Sequence, residues 1–275
     1  QLYTAAGGLQ KLTLPAGIDP RSVAAADFDG DLATDIAVGD AAGVVTILRG
    51  DGSGGSKGNK PVTVATSAGG AEVLALAVTP DLNADGTPEL LVATRINPSS
   101  HALSMVLGQR QAAFAAAPQT APLDGVPSDL AVGKFSTSSG IDAAVLVDKT
   151  VLRLFHSVTA AGPSAYSTSI ALPSSASGVA PSGKGVLVAG QFDGDPTARA
   201  FDDLVVHLDD GRLQVFVGSD VGLGLAFSSD ARQIGGSFMV GTTIATTASR
   251  RSDLVLVNPT AEGATLSLVR NNWGG

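Results

Sequence analysis

The sequence contains no cysteine, and this absence removes several classes of site. A disulfide framework, a thiolate metal centre and a cysteine nucleophile all require that residue. Aromatic residues make up only 4% of the chain, so the ring faces on which sugars often stack are scarce. Recognition of a partner through polar loops or through a bound cation stays open.

Positive charge is also in short supply. The chain has 17 basic and 25 acidic residues, a net charge of -8, and no long basic cluster. Nucleic-acid binding depends on neutralising phosphates with lysine and arginine, so we expect no nucleic-acid partner. No uninterrupted apolar run approaches the length of a membrane span, and we expect none.

The chain begins at Gln1, with no methionine and no signal-type apolar segment. Such a start is typical of a mature or trimmed exported product. The sequence therefore predicts a secreted or cell-surface protein, which we expect to be a monomer.

The hydrophobic content is carried by alanine, valine and leucine, and the chain has 34 glycines and 14 prolines. Short apolar segments of four to eight residues alternate with turn residues, and no long amphipathic helical pattern interrupts them. This pattern predicts an all-β protein built from many short strands.

An acidic stretch joins two of these predicted strands. It carries carboxylates at Asp27, Asp29, Asp31 and Asp35. Side chains of this kind suit neither a strand face nor a core, and like charges about 4 Å apart repel by roughly 4 kcal/mol at an effective dielectric near 20. Calcium takes six to eight oxygen ligands, so the stretch predicts a loop that surrounds a cation.

An acidic residue opens an apolar strand five times along the chain, at spacings of 54, 53, 61 and 50 residues. The first four repeats each contain four predicted strands, which is the composition of a propeller blade, and the fifth contains three. The sequence predicts a single five-bladed β-propeller domain over 1–275, with the last blade closed by the N-terminal strand because both would otherwise leave open edges. The expected blades are 21–68, 72–121, 127–173, 184–235, and 237–271 together with 8–15.

With these repeats, the segment Asp27-Phe-Asp-Gly-Asp-Leu-Ala-Thr-Asp-Ile-Ala-Val resembles the FG-GAP/VCBS family, whose repeats form the propellers of integrin alpha subunits. In that family, loop positions one, three, five and nine give side-chain oxygens to calcium, and position seven gives a carbonyl. The resemblance implies a calcium site in the first loop, a second calcium site in the second loop, and a possible third in the fourth. The implied ligands are Asp27, Asp29, Asp31, Ala33 and Asp35; Asp81, Asn83, Asp85, Thr87 and Glu89; and Asp193, Asp195 and Asp203.

The matching loops depart from the family pattern at particular positions. Leu32 stands where the family has its second glycine, so the first loop is either strained or rearranged if that position needs a positive φ. Ala84 replaces the first glycine of the second loop. The third loop has Lys134, Ser136 and Ser138 in ligand positions, and the fifth has Ala245, Thr247 and Ser249, so we expect no metal in either.

Three histidines, His101, His156 and His207, lie in different repeats and share no motif. Their spacing predicts neither a zinc site nor a Ser-His-Asp triad. The resemblance implies a calcium-stabilised module for adhesion or for binding a protein or glycan. The alternatives are a polysaccharide lyase or hydrolase, which would need a convergent acid/base pair that the sequence does not reveal, and a structural spacer without a ligand.

Overall fold

The computed structural model describes residues 2–3, 9–10, 14–57, 62–65, 72–108, 110, 114–116, 119–173, 185–192, 201–208, 211–228, 238–242, 253–260 and 263–269. These residues form 22 strands joined by turns, so the predicted all-β class is confirmed. The chain divides into two compact units, 1–127 with 159–165, and 128–158 with 166–275. No helix in the described part is long and apolar enough to cross a membrane.

The first repeat forms a four-stranded antiparallel sheet in which each strand pairs with the next along the chain. Short apolar runs separated by turns fold in this way because a tight turn places neighbouring strands side by side. Its strands are β3 (Pro20–Ala26), β4 (Asp35–Asp40), β5 (Val44–Leu48) and β6 (Val62–Ala65).

The second repeat forms a five-stranded sheet, one strand more than the sequence predicted. Ala121–Leu123 is the additional strand, and it pairs with the third strand of the sheet beyond the short strand Ala115–Ala116. Sequence reasoning missed it because three residues are too few to show alternation. The strands are β7 (Glu72–Val78), β8 (Leu90–Asn97), β9 (Ser100–Leu107), β10 (Ala115–Ala116) and β11 (Ala121–Leu123).

The third and fourth repeats each form a four-stranded antiparallel meander. The third contains β12 (Pro127–Gly133), β13 (Ile141–Val147), β14 (Val151–Val158) and β15 (Thr168–Ala171). The fourth contains β16 (Val186–Gly190), β17 (Asp203–His207), β18 (Leu213–Val217) and β19 (Gly224–Ser228).

The fifth repeat shows three described strands, β20 (Phe238–Thr242), β21 (Asp253–Thr260) and β22 (Gly263–Val269). The N-terminal segment was expected to complete this sheet. Instead β2 (Leu9–Gln10) pairs with β1 (Leu2–Tyr3), and among the described strands this hairpin forms a sheet of its own. A local hairpin forms more readily than pairing between the chain ends because it closes a much shorter loop.

Each compact unit has its own buried core, and an aromatic residue from an acidic loop lies in each. Phe28, 1% exposed, packs among Val45, Ile47 and Leu90 in the first unit. Phe135, with no exposed surface, packs among the leucines and valines of the third and fourth repeats in the second unit. These aromatic anchors fix the loops to the sheets, and so they position the carboxylates that follow.

Candidate functional site

The acid at the start of the second strand is fully buried in each of the first four repeats. The acidic loop follows the first strand of a repeat, and this acid lies where the loop ends and the second strand begins. Its carboxylate therefore lies where three chain segments meet. Burying an ionised carboxylate is costly unless polar groups surround it. The four acids, each with no exposed surface, are Asp35, Glu89, Asp142 and Asp203.

In the first repeat this acid links the loop to the segment behind the third strand. Asp35 Oδ2 accepts a hydrogen bond of 3.0 Å from the backbone N–H of Phe28. Its Oδ1 accepts one of 2.9 Å from the backbone N–H of Gly50. Through these two hydrogen bonds the carboxylate ties three segments of one sheet together.

The fourth repeat has the same pair of bonds at Asp203, from Phe192 N at 2.6 Å and from Gly218 N at 3.0 Å. Asp193 and Asp195, the other predicted ligands of this loop, lie outside the described residues. The described geometry thus gives Asp203 a backbone-binding role, and its part in a metal site stays a prediction.

A glycine stands close behind the third strand in three repeats, and sequence reasoning missed it. A Cβ at this position would lie against the carbonyl oxygen of the residue before the buried acid, at 2.2 Å for Gly50, 2.3 Å for Gly108 and 2.3 Å for Gly218. No side chain fits at such a distance, so this position requires glycine. The recurrence of glycine here, set beside the recurring acid, was the signal available in the sequence.

The first acidic loop is wound around Asp27. Its Oδ1 accepts the backbone N–H groups of Gly30 at 2.8 Å and Asp31 at 3.0 Å, and its Oδ2 accepts that of Leu32 at 2.8 Å. Aspartate readily forms such local turns because its short side chain reaches the following backbone groups. This carboxylate therefore shapes the loop, and it is also one of the carboxylates that the loop brings together.

Three predicted ligands of the first loop come together. Asp27, Asp29 and Asp35 each offer an oxygen, and these atoms all lie within 4.8 Å of one another. Asp29 is 7% exposed, and its Oδ1 is buried without a hydrogen-bond partner. Ala33, the predicted carbonyl ligand, is buried as well.

Two basic side chains contact the middle carboxylates of this loop, and sequence reasoning singled out neither. Arg49 Nε lies 3.3 Å from Asp29 Oδ2, and Lys57 Nζ forms an ion pair with Asp31 Oδ2. Asp31 also accepts the backbone N–H of Ala33 at 2.8 Å. Asp31, a predicted ligand, lies outside the cluster of three.

The second acidic loop repeats this winding. Asp81 accepts the backbone N–H groups of Asp85 at 3.2 Å and Gly86 at 2.8 Å. Asp85 accepts both the N–H (2.9 Å) and the hydroxyl (2.6 Å) of Thr87. Asn83 Nδ2 donates to Asp85 Oδ2 at 3.0 Å. Hydrogen bonds within the loop therefore involve the first three of its predicted side-chain ligands, Asp81, Asn83 and Asp85.

Glu89 completes the second cluster. Asp81, Asp85 and Glu89 each offer an oxygen within 4.8 Å of the others. Glu89 Oε2 accepts hydrogen bonds from Leu82 N at 2.8 Å and Thr79 Oγ1 at 3.2 Å. Its Oε1 is buried and has no hydrogen-bond partner.

Both loops require left-handed backbone at the same two positions. The first has Gly30 at φ 73° and Leu32 at φ 70°, and the second has Ala84 at φ 61° and Gly86 at φ 88°. Of the two outcomes left open for Leu32, the loop is strained and keeps its arrangement. A left-handed conformation costs a residue with a Cβ roughly 1–2 kcal/mol.

Burial and hydrogen bonding shift the pKa values of the carboxyl groups in opposite directions. Burial raises the pKa of Asp35 and that of Glu89, and neighbouring carboxylates add to the effect. For Asp85, burial raises the pKa, but hydrogen bonds from Thr87 and Asn83 and the charge of Arg110 together outweigh it and leave the pKa lowered. The fully buried acids thus carry the electrostatic cost that a bound cation would remove.

The donor sets of both loops fit calcium. They consist of carboxylate, amide and carbonyl oxygens, which are the hard ligands that calcium prefers. Asp29 Oδ1 and Glu89 Oε1 are buried oxygens without a partner, and a buried acceptor left unsatisfied costs about 1–3 kcal/mol. A cation at each cluster would satisfy these atoms, and its presence stays a prediction.

The third loop satisfies its buried acid with hydroxyl and imidazole groups in place of the other carboxylates. Lys134, which occupies the first ligand position of this loop, is exposed. The groups around the Asp142 carboxylate are Phe135 N (3.1 Å), Ser136 Oγ (2.9 Å), Ser138 Oγ (2.6 Å), His156 Nδ1 (3.2 Å) and Ser157 N (3.2 Å).

Ser136, His156 and Asp142 meet in space, although their spacing predicted no triad. Ser136 Oγ lies 3.1 Å from Nδ1 of His156, the same nitrogen that faces Asp142. A catalytic triad needs the serine and the aspartate on opposite nitrogens of the ring. The arrangement therefore supports the loop and is not a nucleophile site. The predicted positions of the fifth loop, Ala245, Thr247 and Ser249, lie outside the described residues.

No protein-family model matches the chain, and no curated protein matches it. Solved structures do. Two structures of BBS1N in complex with ARL6DN, soaked with lead and with mercury, match with TM-scores of 0.58 and 0.59 at 16% identity. They cover 97% and 98% of this chain and 71% of BBS1N.

The likeness to BBS1N shows the fold, which is of the β-propeller type. A structure of Raptor from Chaetomium thermophilum matches at 12% identity and a TM-score of 0.47. The match covers 94% of this chain and 24% of the Raptor chain.

Proposed function

We propose that this chain is a calcium-stabilised β-propeller that acts as a binding or adhesion module, secreted or at the cell surface. Two clusters of converging carboxylates, each with a buried oxygen that lacks a partner, carry the proposal. The resemblance of the acidic loops to FG-GAP/VCBS repeats supports the same assignment.

In this proposal the repeats are the blades of one five-bladed propeller domain. The antiparallel sheets, one per repeat, and the likeness to BBS1N support it. Calcium would cross-link the strands on either side of a loop and would neutralise carboxylates that otherwise repel one another. The ion is structural, and recognition belongs to the exposed loops.

A protein is the partner class that we favour over a glycan. The BBS1N structures are of a complex with ARL6DN, and the scarcity of aromatic residues disfavours a sugar-stacking surface. The fold alone does not select the partner, because one fold hosts many functions.

Thermal unfolding in calcium, in magnesium and in excess chelator tests the calcium sites. A ligand at one hundred times its Kd stabilises the folded state by about 2.7 kcal/mol per site, which raises the Tm by several degrees. Magnesium should do much less because it requires stricter octahedral geometry. An unchanged Tm across the three conditions would refute the calcium sites.

Binding of the labelled chain to whole cells tests the partner class. In calcium, protease treatment of the cells should abolish binding, and glycosidase treatment should leave it intact. The reverse result would assign a glycan, and absence of binding to any cell type would favour the structural spacer.

A further inference from the structure

A segment behind the third strand of the first repeat reaches back over the first acidic loop. This segment, residues 49–57, is called the basic strap, because its two charged ends carry Arg49 and Lys57. Arg49 is the partner of Asp29, and Lys57 is the partner of Asp31. The strap therefore brings two positive charges to the carboxylates that were predicted to hold calcium.

The basic strap has its own internal structure. Lys57 N donates to Arg49 O at 3.1 Å, and Asp51 N donates to Gly55 O at 3.1 Å. Asp51 Oδ1 accepts the N–H groups of Ser53 at 2.8 Å and Gly55 at 2.9 Å. These hydrogen bonds make the strap an ordered turn, and this turn holds Lys57 in position.

The strap is also fixed to the cluster. Gly50 N donates to Asp35 Oδ1 at 2.9 Å, and a Cβ on Gly52 would lie 3.9 Å from that of Ala33. The two ion pairs differ in exposure: the side chains of Arg49 and Asp29 are 16% and 6% exposed, and those of Lys57 and Asp31 are 37% and 25% exposed. Lys57 is therefore the easier of the two to displace.

The second loop has a basic side chain beside it, but that side chain forms no ion pair with its carboxylates in the described part of the chain. Arg110 lies next to Gly86, where its Nη2 would be 2.7 Å from an added Cβ, and its charge helps to lower the pKa of Asp85. The first loop, by contrast, has ion pairs with both Arg49 and Lys57. The buried Oε1 of Glu89 is free to accept a cation.

We propose that the basic strap competes with calcium for the first loop, so that the second loop fills first and calcium must displace Lys57 from Asp31 to fill the first. The inference rests on the calcium sites proposed above. It makes the first loop a low-affinity site whose occupancy changes the position of an exposed lysine, and it makes the second loop a constitutive structural site.

Calorimetric titration with calcium tests the competition. In an Asp85→Asn background, which removes the second loop from the isotherm, Lys57→Met should tighten calcium binding about tenfold, the order expected for removing one positive charge beside a divalent ion. Arg21→Met is the matched control, because Arg21 is paired with Asp19 and Glu72 instead of a loop carboxylate. It should change the affinity by less than about twofold.

Amine acetylation followed by mass spectrometry tests the displacement in the unaltered protein. The reactivity of Lys57 should rise several-fold on adding calcium, while that of the exposed Lys134 stays constant. Equal affinities for the Lys57→Met and Arg21→Met variants, or unchanged reactivity of Lys57 while calcium binds, would overturn the competition and leave the calcium sites standing. Absence of calcium heat in every variant would overturn the proposed function itself.

Discussion

Replacing Asp142 by asparagine tests the conclusion that the buried acid of the third repeat is a structural link between chain segments. The carboxylate accepts backbone N–H groups from Phe135 and Ser157 and hydroxyl groups from Ser136 and Ser138. Asparagine keeps one oxygen but turns an NH2 group towards donors, so about half of these bonds are lost and their donors stay buried.

The cost follows from the number of bonds. A hydrogen bond to a charged group contributes about 1.5–3 kcal/mol, so the loss of two predicts a fall of about 3–6 kcal/mol in the free energy of unfolding. For a chain of this size the Tm should fall by roughly 10 °C. Urea unfolding followed by circular dichroism, together with calorimetry, measures both quantities.

Calcium provides the comparison that makes the test specific. The Asp142→Asn variant should lose the same stability in calcium and in chelator, because the third loop lacks the other carboxylates. Asp29→Asn, which removes a predicted ligand, should lose more stability relative to the wild type in calcium than in chelator, where only its ion pair with Arg49 is lost. A loss below about 1 kcal/mol for Asp142→Asn, or one that disappears in chelator, would refute the structural role.

Three further outcomes are expected. Leu32→Gly should stabilise the protein by up to about 1 kcal/mol in urea unfolding, because Leu32 is 95% exposed at φ 70° and loses strain without losing packing. Gly218→Ala should cost about 2–4 kcal/mol, since its Cβ would lie 2.3 Å from a carbonyl oxygen, whereas Gly224→Ala, with open space around it, should be nearly neutral. In chelator, the Tm should rise as the pH falls from neutral towards 4.5, the ordinary pKa of Glu89, because burial raises the folded-state pKa of this group and the folded protein then binds more protons than the unfolded chain. Calcium should reverse this slope by favouring the ionised form, and Glu89→Gln should weaken the dependence in chelator; an identical slope in both conditions would contradict the account.

The pattern of strands and loops could be read from the sequence because it depends on neighbours along the chain. Alternating apolar residues and frequent turn residues determine where strands form, and the recurring acid marks the start of a second strand in each repeat. Asp27 and Asp81 fold their loops through hydrogen bonds to residues within five positions. Such local bonds are set by spacing, so the winding of both loops follows from the sequence.

The partners of the buried acids are decided only by the tertiary structure. Asp35 meets Gly50 across fifteen residues, and Asp142 meets His156 across fourteen. Every residue other than proline has a backbone N–H, so the sequence alone does not show which one a carboxylate will meet. The same holds for the ion pair between Lys57 and Asp31, because the path of the strap through space brings that lysine to the loop.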